Sequence, residues 1–161
     1  MTTLLALALL AAWPADVTTL INAEREADNV APLEYDPLLE VSAQRWCDAL
    51  KSSGWFDHQG YVNDRGYLIN PDTGRQISRV WLPSSQGVTN SYYRAQWLGI
   101  TVRTSENGGL FKSTDPAVVV EGWRRSDGHY RNMVNPAWRR MGVARAGWGK
   151  GRSSVFAEFS E

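Results

Sequence analysis

Residues 115–142 constrain the fold of this chain more than any other stretch. Asp115-Pro116 is a helix-start signal, an acidic N-cap followed by proline at the first helical position. Val119, Val120 and Trp123 then recur at i, i+1 and i+4, so they share the buried face of a short helix. Ser126-Asp127-Gly128 breaks that helix. His129, one of only two histidines in 161 residues, leaves the polar turn beside whatever the helix packs on. The function of the chain turns on what lies opposite His129.

The preceding chain supplies helices to pack there. Asp16 to Asp28 reads as a first helix, with Asp16 as cap and Val17, Leu20 and Ile21 on one side. Asp36-Pro37 repeats the cap-plus-proline signal, and Leu39, Ala43, Trp46, Cys47 and Leu50 follow at helical spacing up to a stop at Gly54. The second histidine, His58, comes just past this helix. Residues 59–104 read as a loop-rich middle punctuated by glycine and proline, with a turn at Asn70–Gly74, a helical turn or two over Tyr92–Trp97 and a short strand over Leu98–Val102. Ser105–Gly109 reads as a glycine-terminated turn carrying a carboxylate, Glu106. Met141–Ala146 and Ser154–Phe159 alternate around Gly147–Gly151, which predicts a terminal β-hairpin. Val155 and Ala157 would face one side of it, Phe156 and Glu158 the other.

Several function classes are excluded or weakened by bulk chemistry. Seventeen basic and seventeen acidic residues cancel, against a nucleic-acid partner. The charges are segregated: residues 1–60 carry nine acids and three bases (−6), residues 121–152 eight bases and two acids (+6), and the simplest reading is that the two regions lie near each other. Cys47 is the single cysteine, so no internal disulfide forms, and its apolar helical position makes it an inert buried thiol. Leu4–Trp13 is ten apolar residues, short of the ~20 a membrane span needs. No basic residue precedes it, and Trp13 spoils a small-x-small cleavage site before Asp16. The chain therefore divides into residues 1–15, a docking segment or degenerate signal, and a domain over 16–161. The docking reading has residues 1–13 covering this domain or a neighbouring subunit.

The order of motifs resembles the CAP superfamily (cysteine-rich secretory proteins, antigen 5 and pathogenesis-related 1 proteins) in its cysteine-poor bacterial form. Leu20–Arg25 looks like the first-helix pattern with Asn and Arg three apart, and Pro32–Leu39 like the "P-L-x-x-D-x-x-L" entry to the second helix. Ser105-Glu106-Asn107 is similar to the "G-E-N" motif, and Trp123–Met133 to "W-x-x-S-x-G-H-x-x-N-[ILM]". Met141-Gly142-Val143 matches "I-G-V". The chain departs from the pattern at Ser105, where relatives have glycine, and at Ser126, where some carry a second acid. Residues between His58 and Glu106 have no clear counterpart.

The resemblance implies an α+β fold, a three-layer α/β/α sandwich on a small antiparallel sheet, and a cleft holding His58, Glu106 and His129 as candidate catalytic residues. Two imidazoles and a carboxylate are donor classes that bind zinc in open sites, which makes His58 and His129 candidate metal ligands. Without metal, Glu106 would orient one histidine and raise its basicity. Two functions are expected, while a third known among relatives, lipid or sterol binding, has no apolar groove signal in the sequence. One is an extracellular or particle-associated binding and assembly module, docking a protein partner or its own copies through the apolar N-terminus and the middle loop. The other is a hydrolase of peptide or cell-wall material. The first ranks narrowly ahead, and a secreted location ahead of a virus particle.

Overall fold

The computed structural model describes residues 2–161, and the side chains of residues 12–51 and 53–161. Helix α1 spans Thr2–Ala27, β1 Glu34–Tyr35, α2 Pro37–Ser53, β2 Gly60–Val62, β3 Tyr67–Ile69, β4 Gln76–Trp81 and β5 Val88–Thr89. Then follow α3 Ser91–Trp97, β6 Thr104–Phe111, α4 Pro116–Arg124, α5 Asp127–Met133, β7 Arg140–Gly149 and β8 Arg152–Ser160.

The terminal hairpin β7–β8 is the spine. It forms a four-stranded sheet in the order β1-β7-β8-β6, antiparallel except for the parallel β1–β7 pair. Because successive strand residues point to opposite faces, the two sides of this hairpin feed two cores. Met141, Val143, Val155, Ala157 and Phe159 pack with Trp13, Val17 and Ile21 of α1, Val119, Val120 and Trp123 of α4, and Met133 of α5. On the other face, Ala144 and Phe156 pack with Ala43, Trp46, Cys47 and Leu50 of α2. The result is the three-layer α/β/α arrangement expected. Gly142 is where α2 presses hardest: a Cβ there would lie 2.1 Å from Glu40 N and 2.5 Å from the Leu39 carbonyl carbon.

Both proline-started helices form as their caps dictate, with Asp36 accepting from Leu38 N–H at 2.8 Å and Asp115 from Ala117 N–H at 2.8 Å. The expected start of the first helix at Asp16 is corrected. Asp16 is an exposed interior residue of α1, which runs through Pro14. The preceding run is rich in leucine and alanine, the best helix formers, and Thr18 and Thr19 hydroxyls donate to the carbonyls of Pro14 and Ala15. Of the proposed docking segment, residues 1–11 lie outside the described side chains. Trp13 is buried on this domain, its indole N–H donating to Thr114 O and its ring under Arg145 at 4.4 Å.

The loop-rich middle forms the expected helical turns as α3 and also carries a second, antiparallel sheet in the order β4-β3-β2-β5, set on α2 through Val62, Leu68 and Leu82. Its strands of two to six residues are too short for alternation to register. The strand expected over Leu98–Val102 is likewise absent. Gly99 N–H donates to Gln96 O and Ile100 N–H to Ala95 O, the two bonds that close a helix end. The Asn70–Gly74 turn forms, its Asn70 carboxamide oxygen accepting from Asp72 and Thr73 N–H. Among the described residues, the acidic and basic regions meet at one ion pair, Asp36–Arg140 at 3.4 Å.

Candidate functional site

Strand β6 is the edge of the main sheet, and the site wraps around that edge. Ser105–Gly109 belongs to this strand and not to a turn: all eight residues of β6 pair with β8. Asparagine and glycine are poor strand formers, but here close packing requires them. A Cβ on Gly108 would stand 2.4 Å from the Phe156 ring and 3.0 Å from His58 Cε1. Alternation sends Glu106 and Gly108 to the α2 face, where His58 lies, and Asn107 to the α5 face, where His129 lies. The two histidines therefore reach the same edge from opposite layers, with ring centroids 6.4 Å apart.

Glu106 is the hub on the first side. Its Oε1 lies 2.9 Å from Nδ1 of His58, and its Oε2 accepts from Nη2 of Arg94. Arg94 continues inward to Glu158, Nη2 to Oε1 at 3.0 Å, and its guanidinium stacks over Trp46 at 4.7 Å. Arg94 and Glu158 are fully buried, whereas 48% of the His58 side chain is exposed. The chain of groups thus runs from solvent into the core. The Glu106 hydrogen bond raises the pKa of His58 against the opposing effect of burial. Burial lifts the Glu158 carboxyl to about 7, although Arg94 pulls the other way.

His129 sits in the first turn of α5, not in the polar turn expected, and Ser126 precedes it at the N-cap position without a side-chain capping bond. Asn107 and Asn132, both in the motif-like stretches, anchor this helix. Asn107 Nδ2 donates to His129 O at 3.0 Å, Asn132 Nδ2 to Asn107 Oδ1 at 2.9 Å, and Trp138 Nε1 to Asn132 Oδ1 at 2.9 Å. Burial, with His58 adding charge repulsion, lowers the His129 pKa. Below α5, Arg25 donates to the carbonyls of Ala31, Met133, Asn135 and Trp138, and Asn22 exchanges two hydrogen bonds with the Leu33 backbone. The Asn22/Arg25 pattern is therefore structural, tying α1 to the site helix.

All three candidate site residues come together. Sequence reasoning missed Arg94 and Glu158. Glu158 carried a signal, a carboxylate facing the same side as Phe156 in a core strand, which demands a buried cation. Cys47 is sealed in the core, its thiol pushed up to about 12 chiefly by burial, and is no nucleophile.

As zinc ligands the residues fall short by themselves. Both Glu106 oxygens are engaged, which leaves two imidazoles against the three protein donors of an open zinc site. Among the described residues no three His, Cys, Asp or Glu side chains gather as a metal-holding set. Nor is any described helix long and apolar enough to cross a membrane.

A family model described as the cysteine-rich secretory protein family, CAP, matches residues 18–158. Protein YkwD of Bacillus subtilis is 27% identical over 132 residues, 82% of this chain but only 42% of YkwD, so the chain spans well under half of that relative. Among solved structures, an outer surface protein from Borrelia burgdorferi has a TM-score of 0.65 at 17% identity, covering 89% of this chain and 88% of that one. An extracellular protein containing a SCP domain from Bacillus anthracis scores 0.64 at 18% identity, over 94% of this chain and 41% of that one. At these identities the structural likenesses establish the fold.

Proposed function

We propose, from the premise that this chain belongs to the cysteine-rich secretory protein (CAP) family, that it is a secreted domain whose His58–Glu106–His129 cleft hydrolyses a peptide-type substrate. The observation that carries this reading is the pair of imidazoles facing across 6.4 Å, one of them backed by the Glu106–Arg94–Glu158 chain. A pure scaffold has no need of a carboxylate, Glu106, held by a buried arginine and aimed at a half-exposed imidazole. Titratable pairs whose environments push their pKa values apart divide into acid and base. Neutral His129 is then the base that takes a proton from water as it attacks the carbonyl carbon. His58, protonated and held by Glu106, is the acid that delivers a proton to the departing amine. Secretion is proposed from the extracellular and outer-surface relatives.

The test is turnover of peptide and peptidoglycan substrates by wild type, His58→Ala and His129→Ala. The reading expects a bell-shaped pH profile and a loss of about 100-fold or more in either variant. Turnover indifferent to both substitutions sinks it. A divalent cation would need water or substrate donors beside His58 and His129. Zinc titration of wild type and His129→Ala tests that adjunct role separately.

A second reading, a binding and assembly module on the cell exterior or a particle, is favoured by the aromatic surface of the middle region. Trp97, Tyr61, Tyr92 and Trp81 are all exposed, and Trp81 and Trp97 stand edge to face at 5.4 Å. Exposed apolar clusters mark contact surfaces. A strict monomer in sedimentation at high concentration, unchanged by Trp97→Ser, overturns self-assembly.

A further inference from the structure

The cleft has two lobes of opposite charge. One, of about 440 Å³, is lined by residues including Asp57, His58, Tyr92, Ser105 and Glu106. The other, also about 440 Å³, includes Ser105, Glu106, His129, Arg131 and Asn135. They share only Ser105 and Glu106, so a ligand filling both lies over those two residues, with His58 lining one lobe and His129 the other.

The charge free to meet a ligand differs in each lobe. Glu106 is neutralised by His58 and Arg94, and Arg94 is committed to Glu106 and Glu158. In the first lobe this leaves exposed Asp57, whose Oδ1 accepts only the adjacent His58 backbone N–H at 2.7 Å. In the second lobe it leaves Arg131, exposed and without an ion-pair partner among the described residues. A carboxylate at one end and a guanidinium at the other complement a ligand with an ammonium and a carboxylate.

We propose that the cleft takes a short peptide with both termini free, its carboxylate at Arg131 and its ammonium at Asp57. An extended tripeptide spans about 10 Å, more than the 6.4 Å between the rings. That length is enough to place its termini in different lobes, with its central peptide groups over the shared Ser105 and Glu106. Asp57 and Arg131 are specificity residues that touch the ligand ends, and the Asp57 charge also helps to raise the His58 pKa behind the Glu106 hydrogen bond. The inference rests on the peptide reading of the cleft and names the substrate class within it.

The test is a chemical-shift titration of the isotopically labelled full chain with tri-alanine, N-acetyl-tri-alanine and tri-alanine amide. Exposed charge contacts contribute about 0.2–1 kcal/mol, so each blocked end should weaken binding roughly 1.4- to fivefold. Arg131→Gln should erase the difference between acid and amide while keeping the acetyl penalty. Asp57→Asn should do the converse. Equal binding of blocked and free peptides, preferences that survive both substitutions, or no shifts at His58 and His129 all overturn the proposal. Charge-selective binding without cleavage would instead sink the hydrolase reading and leave this one standing. Cleavage indifferent to blocked termini would do the opposite.

Discussion

Single side chains decide the protonation of this cleft. Because the Glu106 hydrogen bond is the main reason for the raised His58 pKa, Glu106→Gln should move the His58 midpoint downward in an imidazole titration followed by NMR. His58→Ala should move the His129 midpoint up, since repulsion from His58 contributes to its lowering. An unmoved His58 midpoint would mean that Glu106 does not act as its partner. Glu158 makes a separate statement about stability. A carboxyl raised from 4.5 to about 7 stabilises the fold fully below its unfolded value and loses that contribution as pH climbs through the folded one. Wild type should therefore lose stability between about pH 4.5 and pH 7 from this source, and Glu158→Gln should flatten that part of the profile. Denaturant midpoints measured across that window in both proteins check it.

At the scale of elements, close packing and capping explain most of what forms. Gly142→Ala would drive a methyl group into the α2 backbone near Leu39 and Glu40, with no flexible side chain to yield. Overpacking of this kind costs about 1–3 kcal/mol and more when backbone must shift, which a denaturant melt will read. A variant as stable as wild type would show that α2 can lift off the sheet. Elements whose signals are local were legible in the sequence. Asp36-Pro37 and Asp115-Pro116 started helices, and Val155, Phe156, Ala157 and Glu158 alternated as a strand must. Elements made by tertiary context were not. Strand β6 reads Ser-Glu-Asn-Gly-Gly and becomes a strand because β8 pairs with it and because Phe156 and His58 need the space over Gly108. The short second sheet left no periodicity to find, and α1 ran past its apparent cap. In the site, His58, Glu106 and His129 were legible through motif order. Arg94 was not, because a lone arginine on a short helix does not reveal that it turns inward to two carboxylates.

The whole molecule hangs its two histidines on parts of unequal robustness. Strands β7 and β8 are ten and nine residues long and covered on both faces, by α1, α4 and α5 on one side and α2 on the other. The second sheet has strands of two to six residues and rests on α2 through one face. Regions with few buried apolar contacts open at lower free energy than the global transition. Native-state hydrogen exchange should therefore find β7 and β8 amides exchanging only with complete unfolding, and β2 to β5 amides through a smaller, earlier opening. His58 lies two residues before β2, held by Glu106 and by the Trp46 indole bond to Asp57 O at 3.0 Å. His129 is tied to the main sheet through Asn107. Mild denaturant should accordingly release the His58–Glu106 hydrogen bond while the Asn107–His129 link persists, visible as a His58 imidazole signal that changes before the global transition. A single opening free energy shared by all amides, with both imidazole signals changing together, would show instead that the second sheet is part of one cooperative unit and that the cleft cannot open from the His58 side alone.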